Sequence, residues 1–143
     1  MVTLPFSRSE ESSLPRSVIV VEDDALLGLD IEQTLHENGI EDVTICPSAS
    51  CTLERLRNGK FDAIVLDAHL ADSDEGWKIA ELVEAMGERA MRIVFQTGSP
   101  EEIPDHVRKL GPVLGKPYDP RQLIGALREK QSAGLLAMLS RRR

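Results

Sequence analysis

The chain has 143 residues, 41% of them hydrophobic, and a formal net charge of −7. This length and apolar content predict one globular domain with a core of its own. The acidic balance argues against broad binding to nucleic acid or anionic membranes. No apolar run approaches the roughly 18 residues of a membrane span, and no secretory signal is recognisable. We therefore expect a cytoplasmic protein that binds neither nucleic acid nor membrane.

Composition also predicts how the chain is organised. Residues 1–16 are rich in Ser, Pro and charge and can bury little apolar surface, so we expect a flexible N-terminal lead-in. The folded domain is predicted over residues 17–131, and residues 132–143 are either a tail or an extension of the last helix. The spacing of Cys46 and Cys51 matches neither a redox pair nor a zinc site, so we interpret both as reduced thiols.

The folded part begins with the run SVIVV (17–21), which predicts a buried strand. The next segment predicts an amphipathic helix with Asp24 as its N-cap and Gly39 just after its end. Three apolar residues, four positions apart, define the side of this helix that faces the core: Leu27, Ile31 and Leu35. The run DVTIC (42–46) then predicts a second strand.

The middle of the chain repeats this pattern of strand and helix. Ser48 is a predicted N-cap for a helix that ends at Gly59 and places Leu53 and Leu56 against the core. The run FDAIVL (61–66) predicts a third strand. The helix after it is expected to turn three apolar residues toward the core: Ile79, Leu82 and Val83.

The last part of the domain is less regular. The runs MRIVFQ (91–96) and PVLG (112–115) predict two more strands, but Pro100 and Pro104 leave room for only a short helix between them. An Asp-Pro pair at residues 119–120 is a strong signal for the start of the final helix. The alternation predicts an α/β fold with a doubly wound five-stranded parallel sheet, in which the fourth helix is shortened or irregular.

Five polar side chains stand at or just beyond the carboxyl ends of the predicted strands: Glu22, Asp23, Asp67, Thr97 and Lys116. In an open parallel sheet these ends meet at one edge, where ligands bind. Carboxylates at contact range repel one another by about 1–4 kcal/mol per pair, so a cation is expected among them, and oxygen ligands suit Mg²⁺. The lysine and the threonine hydroxyl add a positive charge and a donor. Together they indicate that a phosphoryl group binds beside the metal.

The segments VVEDD, AIVLDAHL, VFQTG and LGKPY resemble the four signature segments of receiver domains from two-component response regulators, in the right order within residues 17–131. The resemblance implies a flavodoxin-like receiver fold with five strand and helix units. It also implies that Asp67 accepts the phosphoryl group and that Thr97 and Lys116 contact phosphoryl oxygens. Mg²⁺ would be held by Asp23 directly and by Glu22 through water. The backbone carbonyl of His69 would complete the protein ligands of the metal.

Such a receiver takes its phosphoryl group from the phosphohistidine of a sensor histidine kinase and signals by protein contact, or acts as a phosphate sink. It supports its own phosphorylation and dephosphorylation but is not otherwise an enzyme. No second domain is predicted from the remaining residues. We therefore expect a stand-alone response regulator that is a monomer or a weak dimer.

The segment Phe95, Gln96, Thr97 and Gly98 resembles the Phe-Ala-Thr-Gly motif of the FAT GUY single-domain receivers of α-proteobacteria, with glutamine in place of alanine. That group is associated with general stress signalling and HWE-type sensor histidine kinases. The resemblance implies an HWE-type kinase and a downstream protein as partners.

Val113 occupies the position, three residues before Lys116, where many receivers carry an aromatic switch residue. Without a ring at this position, another element has to report phosphorylation. We expect the segment after Thr97 to move, because Gly98 permits backbone conformations closed to other residues and Ser99 is small.

A second hypothesis is a Mg-dependent hydrolase of the haloacid-dehalogenase type, which also forms an aspartyl phosphate. That class carries a second Asp two residues after the nucleophile, and His69 stands at that position here. The signalling hypothesis is therefore favoured.

Overall fold

The computed structural model describes residues 14–70, 76–86 and 91–128. The predicted tail, residues 132–143, and residues 1–13 of the predicted lead-in lie outside these ranges. Within the described ranges, no helix has both the length and the apolar character needed to cross a bilayer. Cys46 is buried and Cys51 is partly buried, and both are free cysteines, as predicted.

Five strands form one sheet: β1 (Ser17–Val21), β2 (Asp42–Cys46), β3 (Ala63–Asp67), β4 (Arg92–Thr97) and β5 (Val113–Gly115). Their order is β2-β1-β3-β4-β5, and every neighbouring pair is parallel. This confirms the predicted sheet. The first two strands have the predicted bounds. The ends of the other three shift slightly, because the hydrogen-bond ladder and not the apolar run limits a strand.

Helices cover both faces of the sheet: α1 (Ala25–Glu37), α2 (Ala49–Asn58), α3 (Trp77–Met86), α4 (Asp105–Arg108) and α5, described over residues 120–128. The side chains of the predicted N-caps Asp24 and Ser48 accept hydrogen bonds from backbone N–H groups of the first helical turns. Gly39 has a φ of 90°, the left-handed conformation expected just after a helix. The fourth crossover is short, as predicted, and consists of a 3₁₀ turn (Pro100–Glu102) followed by the four-residue α4.

The two faces of the sheet bury separate apolar clusters. Ile64 and Phe95 belong to a cluster that includes residues of α2, α3 and α4. Val65 and Val94 belong to a second cluster, which includes residues of α1 and α5. Neighbouring side chains of one strand therefore enter different clusters, as expected for a parallel sheet covered on both faces.

The chain is already packed ahead of β1. Leu14 contacts the cluster under α1 and α5, and the backbone N–H groups of Arg16 and Ser17 donate to Oδ2 of Asp62 at 3.0 and 3.1 Å. The sequence predicted that the domain starts at residue 17, but the chain is packed against the domain from Leu14 onward.

The core-facing side of α1 differs from the prediction. Leu27 is 37% exposed, and the buried residues of the helix are Gly28, Ile31 and Leu35. A Cβ atom at Gly28 would lie 3.4 Å from Cγ2 of Ile45, so the helix packs on β2 through this glycine. Gly28 and not Leu27 faces the sheet in the first turn, and Leu27 lies at the margin of the buried side.

The prediction for α3 is also wrong at one residue. Leu82 is 45% exposed, because the helix turns Ile79 and Ala80 toward the sheet. In α2, Leu56 is buried as predicted, whereas Leu53 is only partly buried.

Candidate functional site

The functional residues predicted from the sequence lie where the parallel strands end. Glu22 follows β1, Asp67 ends β3, Thr97 ends β4 and Lys116 follows β5. The backbone N–H of Lys116 donates to the carbonyl of Thr97 at 2.8 Å, which holds two of these ends in register. The strand order reverses beside β1, the position at which open α/β sheets bind ligands.

Three carboxylates gather at this edge. Oxygen atoms of Glu22, Asp23 and Asp67 lie within 4.8 Å of one another. Glu22 and Asp67 are buried, with 2% and 4% of their surfaces exposed, whereas Asp23 is exposed. The structure therefore brings together the three side chains that were predicted to hold a metal.

One ammonium group lies between two of these carboxylates. Nζ of Lys116 is 2.9 Å from Oε1 of Glu22 and 3.0 Å from Oδ2 of Asp67. Burial acts to lower the pKa of Lys116, but its hydrogen bonds to the two carboxylates outweigh burial and raise the pKa above its ordinary value. The pKa of Glu22 is also raised, because its burial outweighs the hydrogen bonds that it accepts. A single ammonium group cannot balance three ionised carboxylates.

Both oxygens of the Asp67 carboxylate are fixed. Oδ2 accepts from Lys116, and Oδ1 accepts from the backbone N–H of His69 at 2.9 Å. Gly76, just before α3, lies against the backbone that follows β3. Its backbone N–H donates to the carbonyl of Ala68 at 2.8 Å. A Cβ atom at position 76 would lie 2.5 Å from the carbonyl oxygen of Asp67, so the close approach of α3 to the end of β3 requires glycine there.

Thr97 is fully buried, and its Oγ1 accepts a hydrogen bond from the backbone N–H of Ser99 at 3.0 Å. Because the oxygen is the acceptor in this bond, the hydroxyl proton is available for a hydrogen bond to another group.

The predicted switch residues Gly98 and Val113 lie beside Thr97 and in β5. Gly98 does not have a positive φ, so this conformation does not use the backbone freedom of glycine on which the sequence interpretation relied. Val113 pairs with Phe95 in the sheet and is partly buried.

The ring of His69 lies beside the 3₁₀ turn. Its Nε2 is 3.2 Å from Oε1 of Glu102, and its ring meets Trp77 edge-on with 6.5 Å between centroids. The contact with Glu102 is a close approach without hydrogen-bond geometry, since Nε2 has no hydrogen-bond partner among the described residues. His69 thus connects the end of β3 to the segment between β4 and β5. The metal contact of its backbone carbonyl stays a prediction.

Sequence reasoning missed the hydrogen bonds of Gln96 and Tyr118. Gln96 is 1% exposed, its Nε2 donates to Oε1 of Glu22 at 3.1 Å, and its Oε1 accepts from the hydroxyl of Tyr118 at 2.6 Å. One signal was present in the sequence. A glutamine within an otherwise buried strand requires hydrogen-bond partners, and the nearby strand ends offer them.

The side chains of the cluster fit a hard divalent cation. All three offer carboxylate oxygens, the ligand type of Mg²⁺, which also keeps several water ligands. Both oxygens of Glu22 already accept protein hydrogen bonds, which suits a contact through water. The exposed carboxylate of Asp23 suits direct contact.

Comparisons with known proteins agree with the geometry. The family model of the response regulator receiver domain matches residues 18–128. A search of curated proteins gave no match.

Solved structures share the fold. A receiver domain from Methanospirillum hungatei is 23% identical with a TM-score of 0.74, over 82% of this chain and 94% of the other. A receiver domain from Methylobacillus flagellatus is 20% identical with a TM-score of 0.68, over 82% and 97%. A response regulator from Burkholderia pseudomallei, crystallised with a phosphorylated aspartic acid, a calcium ion and citrate, is 18% identical with a TM-score of 0.68, over 86% and 72%. The family match covers most of the chain, which therefore belongs to the response regulator receiver domain family.

Proposed function

We propose that this receiver domain accepts a phosphoryl group on Asp67 from the phosphohistidine of a sensor histidine kinase, in a reaction that requires Mg²⁺. One observation carries the proposal. The Asp67 carboxylate lies 3.0 Å from the Lys116 ammonium group and within 4.8 Å of oxygens of Glu22 and Asp23. An anionic acceptor repels an anionic phosphoryl group, and positive charge placed beside the acceptor offsets that repulsion.

In the transfer, an oxygen of Asp67 forms a bond to phosphorus while the bond between phosphorus and the kinase histidine nitrogen breaks. The electron pair of the broken bond stays on that nitrogen. Lys116, already beside Asp67, pairs with a phosphoryl oxygen, and the hydroxyl of Thr97 donates a hydrogen bond to another. Glu22, Asp23 and Asp67 would hold Mg²⁺, which would supply positive charge to offset that of the phosphoryl group. The phosphorylated aspartic acid of the Burkholderia pseudomallei regulator is consistent with this chemistry in the family.

Phosphorylation is reported by the segment that follows Thr97. Its hydroxyl oxygen accepts from Ser99, so a movement of Thr97 toward a phosphoryl oxygen removes a bond that fixes the segment. Val113 carries no ring that could turn into the vacated space. A downstream protein that contacts residues 98–113 then meets a different surface in the two states.

The finer parts of the proposal rest on the sequence, and among them the kinase type and the stress role rest on the FAT GUY resemblance of the Phe95 to Gly98 segment. They comprise a stand-alone, cytoplasmic response regulator, a monomer or weak dimer, with an HWE-type kinase as phosphoryl donor and a role in general stress signalling. The output is a protein contact or a phosphate sink.

The hydrolase alternative is not favoured. The family match is to receiver domains, and His69 stands where a haloacid-dehalogenase hydrolase carries its second Asp. We therefore propose that the chain turns over no separate phosphate ester. Sustained hydrolysis of a generic phosphate ester by the purified protein would contradict this part.

The direct test is phosphotransfer from a labelled HWE-type kinase or a small-molecule phosphoryl donor, with Mg²⁺ or with a chelator. Label should appear on the wild-type chain only with Mg²⁺ and should be absent from Asp67→Asn. Asp42→Asn, which changes an exposed acid at the start of β2, is the matched control and should be labelled normally. Equal labelling of Asp67→Asn and the control would contradict the proposal.

A further inference from the structure

Gln96 is a buried polar residue for which the phosphoryl chemistry described above has no role. It lies in β4, on the side of the sheet that Val94 shares with α1 and α5. An amide in such a position costs free energy unless both its ends are hydrogen-bonded. Both ends of Gln96 are bonded, one to Glu22 and the other to Tyr118.

The chemistry of the partners fixes the direction of this chain of hydrogen bonds. An ionised carboxylate only accepts, so the amide nitrogen of Gln96 has to face Glu22, and the amide oxygen is left to face Tyr118. The hydroxyl of Tyr118 must then donate. Burial, followed by the charges of Glu22 and Asp67, raises the pKa of Tyr118, so the phenol keeps the proton that this bond needs.

Glu22 receives donors on both oxygens. Oε2 accepts from the backbone N–H of Asp24 at 3.1 Å, and Oε1 accepts from both Lys116 and Gln96. Lys116 is shared with Asp67 and is the group that pairs with an incoming phosphoryl oxygen. The Gln96 amide has no such second duty at the acidic edge, so it can hold the Glu22 carboxylate while Lys116 changes partner.

We propose that Gln96 is a positioning residue for the Glu22 carboxylate in Mg²⁺ binding, and that Tyr118 acts on the metal site through Gln96. The inference rests on the proposed function to the extent that Glu22 serves the metal. It adds two residues to the site and extends it from the acidic edge of the sheet to the other side of β4.

Tyr118, the outer member of this chain of hydrogen bonds, lines a surface groove between α1 and α5. The groove has a volume of about 640 Å³, and its lining includes Leu27, Pro117, Tyr118 and Leu123 as well as Gln96. Because linkage is reciprocal, a change that moves Tyr118 in this groove changes Mg²⁺ affinity, and bound Mg²⁺ changes the environment of Tyr118.

The test measures the Mg²⁺ dissociation constant in four proteins: wild type, Gln96→Met, Tyr118→Phe and the double variant. Trp77 fluorescence reports binding, since its ring packs on His69 two residues after Asp67. Gln96→Met keeps the unbranched shape and should weaken Mg²⁺ binding about 10-fold, the lower end of the effect of residues that orient metal ligands. Tyr118→Phe should weaken binding less. Because Tyr118 acts through Gln96, the double variant should bind no more weakly than Gln96→Met alone.

Gln33→Met is the matched control, because Gln33 lines the same groove but bonds to Glu37. It should bind Mg²⁺ as the wild type does. A second readout needs no change at Gln96: in NMR spectra of wild type, the Gln96 side-chain amide protons should shift on addition of Mg²⁺, and the shift should differ in Tyr118→Phe.

Unchanged or tighter Mg²⁺ binding by Gln96→Met, or additive losses in the double variant, would overturn the inference. Either of these results leaves the proposed function standing, provided that the wild type binds Mg²⁺ and is labelled on Asp67. Failure of wild type both to bind Mg²⁺ and to accept a phosphoryl group would overturn the two together.

Discussion

Nζ of Lys116 lies 3.0 Å from Oδ2 of Asp67, although 49 residues separate them in the chain. The parallel sheet produces this contact, because β3 and β5 end at the same edge on either side of β4. The carboxylate that we propose to carry the phosphoryl group is therefore paired with a cation before any ligand binds.

Replacement of Lys116 tests the electrostatic role of this contact. Lys116→Met should lower the free energy of unfolding by about 2 kcal/mol without divalent ions, because two buried carboxylates lose their shared counter-charge. The loss is smaller than for a fully buried pair, since the lysine side chain is 23% exposed. Added Mg²⁺ should reduce the loss. Urea unfolding measures it, with the exposed Lys109→Met as control, which should stay within about 0.5 kcal/mol of wild type. Equal stabilities of the two variants would contradict the role.

The raised pKa of Glu22 predicts a pH dependence with a definite sign. A carboxyl whose pKa is higher in the folded than in the unfolded state binds its proton more tightly when folded. The stability that it contributes is complete below the ordinary pKa of 4.5 and is lost as the pH rises through the raised value. Without divalent ions, the free energy of unfolding of wild type relative to Glu22→Gln should therefore fall from pH 4.5 upward. Mg²⁺ should oppose the fall by favouring the charged carboxylate. A relative stability that rises over this interval would show that the sign is wrong.

Two glycines form a matched pair for a test of backbone packing. Gly76→Ala should destabilise the protein by about 1–3 kcal/mol and impair phosphorylation, because the new methyl group overlaps the carbonyl of Asp67. Gly98→Ala should be neutral or stabilising by up to about 1 kcal/mol, since its methyl group meets no atom within 4 Å. Thermal unfolding and phosphotransfer compare the two. A tolerated alanine at position 76 would rule out the close approach of α3.

The proposed response segment can be mapped with beryllofluoride, which imitates a phosphoryl group on a carboxylate. With Mg²⁺ present, amide NMR shifts beyond the acidic site should concentrate in residues 97–113, because the bond from Ser99 to Thr97 is released. The Thr97→Val variant should lose these shifts while keeping those at residues 22–24. Shifts that concentrate in α1 and α2 and spare residues 97–113 would exclude this route.

Much of the fold was predictable because its signals are local. The helix caps at Asp24 and Ser48 and the apolar strand runs identify elements without reference to the rest of the chain. The site was predictable for a related reason. Once the strands are known to be parallel, polar residues at their carboxyl ends have to share an edge.

The features that were not predicted depend on contacts between elements. Leu27 is exposed where α1 packs on β2 through Gly28, and that contact involves Ile45 of another element. The bonds of Gln96 depend on which side chains its strand neighbours present, and Tyr118 lies 22 residues away in sequence. Periodicity identifies a strand but not the partner of one polar residue within it.

Chemical mapping of the phosphorylated residue tests the proposed role of Asp67 most directly. Borohydride reduces an aspartyl phosphate to homoserine, which peptide mass spectrometry locates after the protein has been treated with phosphoryl donor and Mg²⁺. We expect homoserine at position 67, and none there when Mg²⁺ is chelated. A protein that is phosphorylated under these conditions but carries homoserine at another position, such as 23, or carries none, would contradict this role.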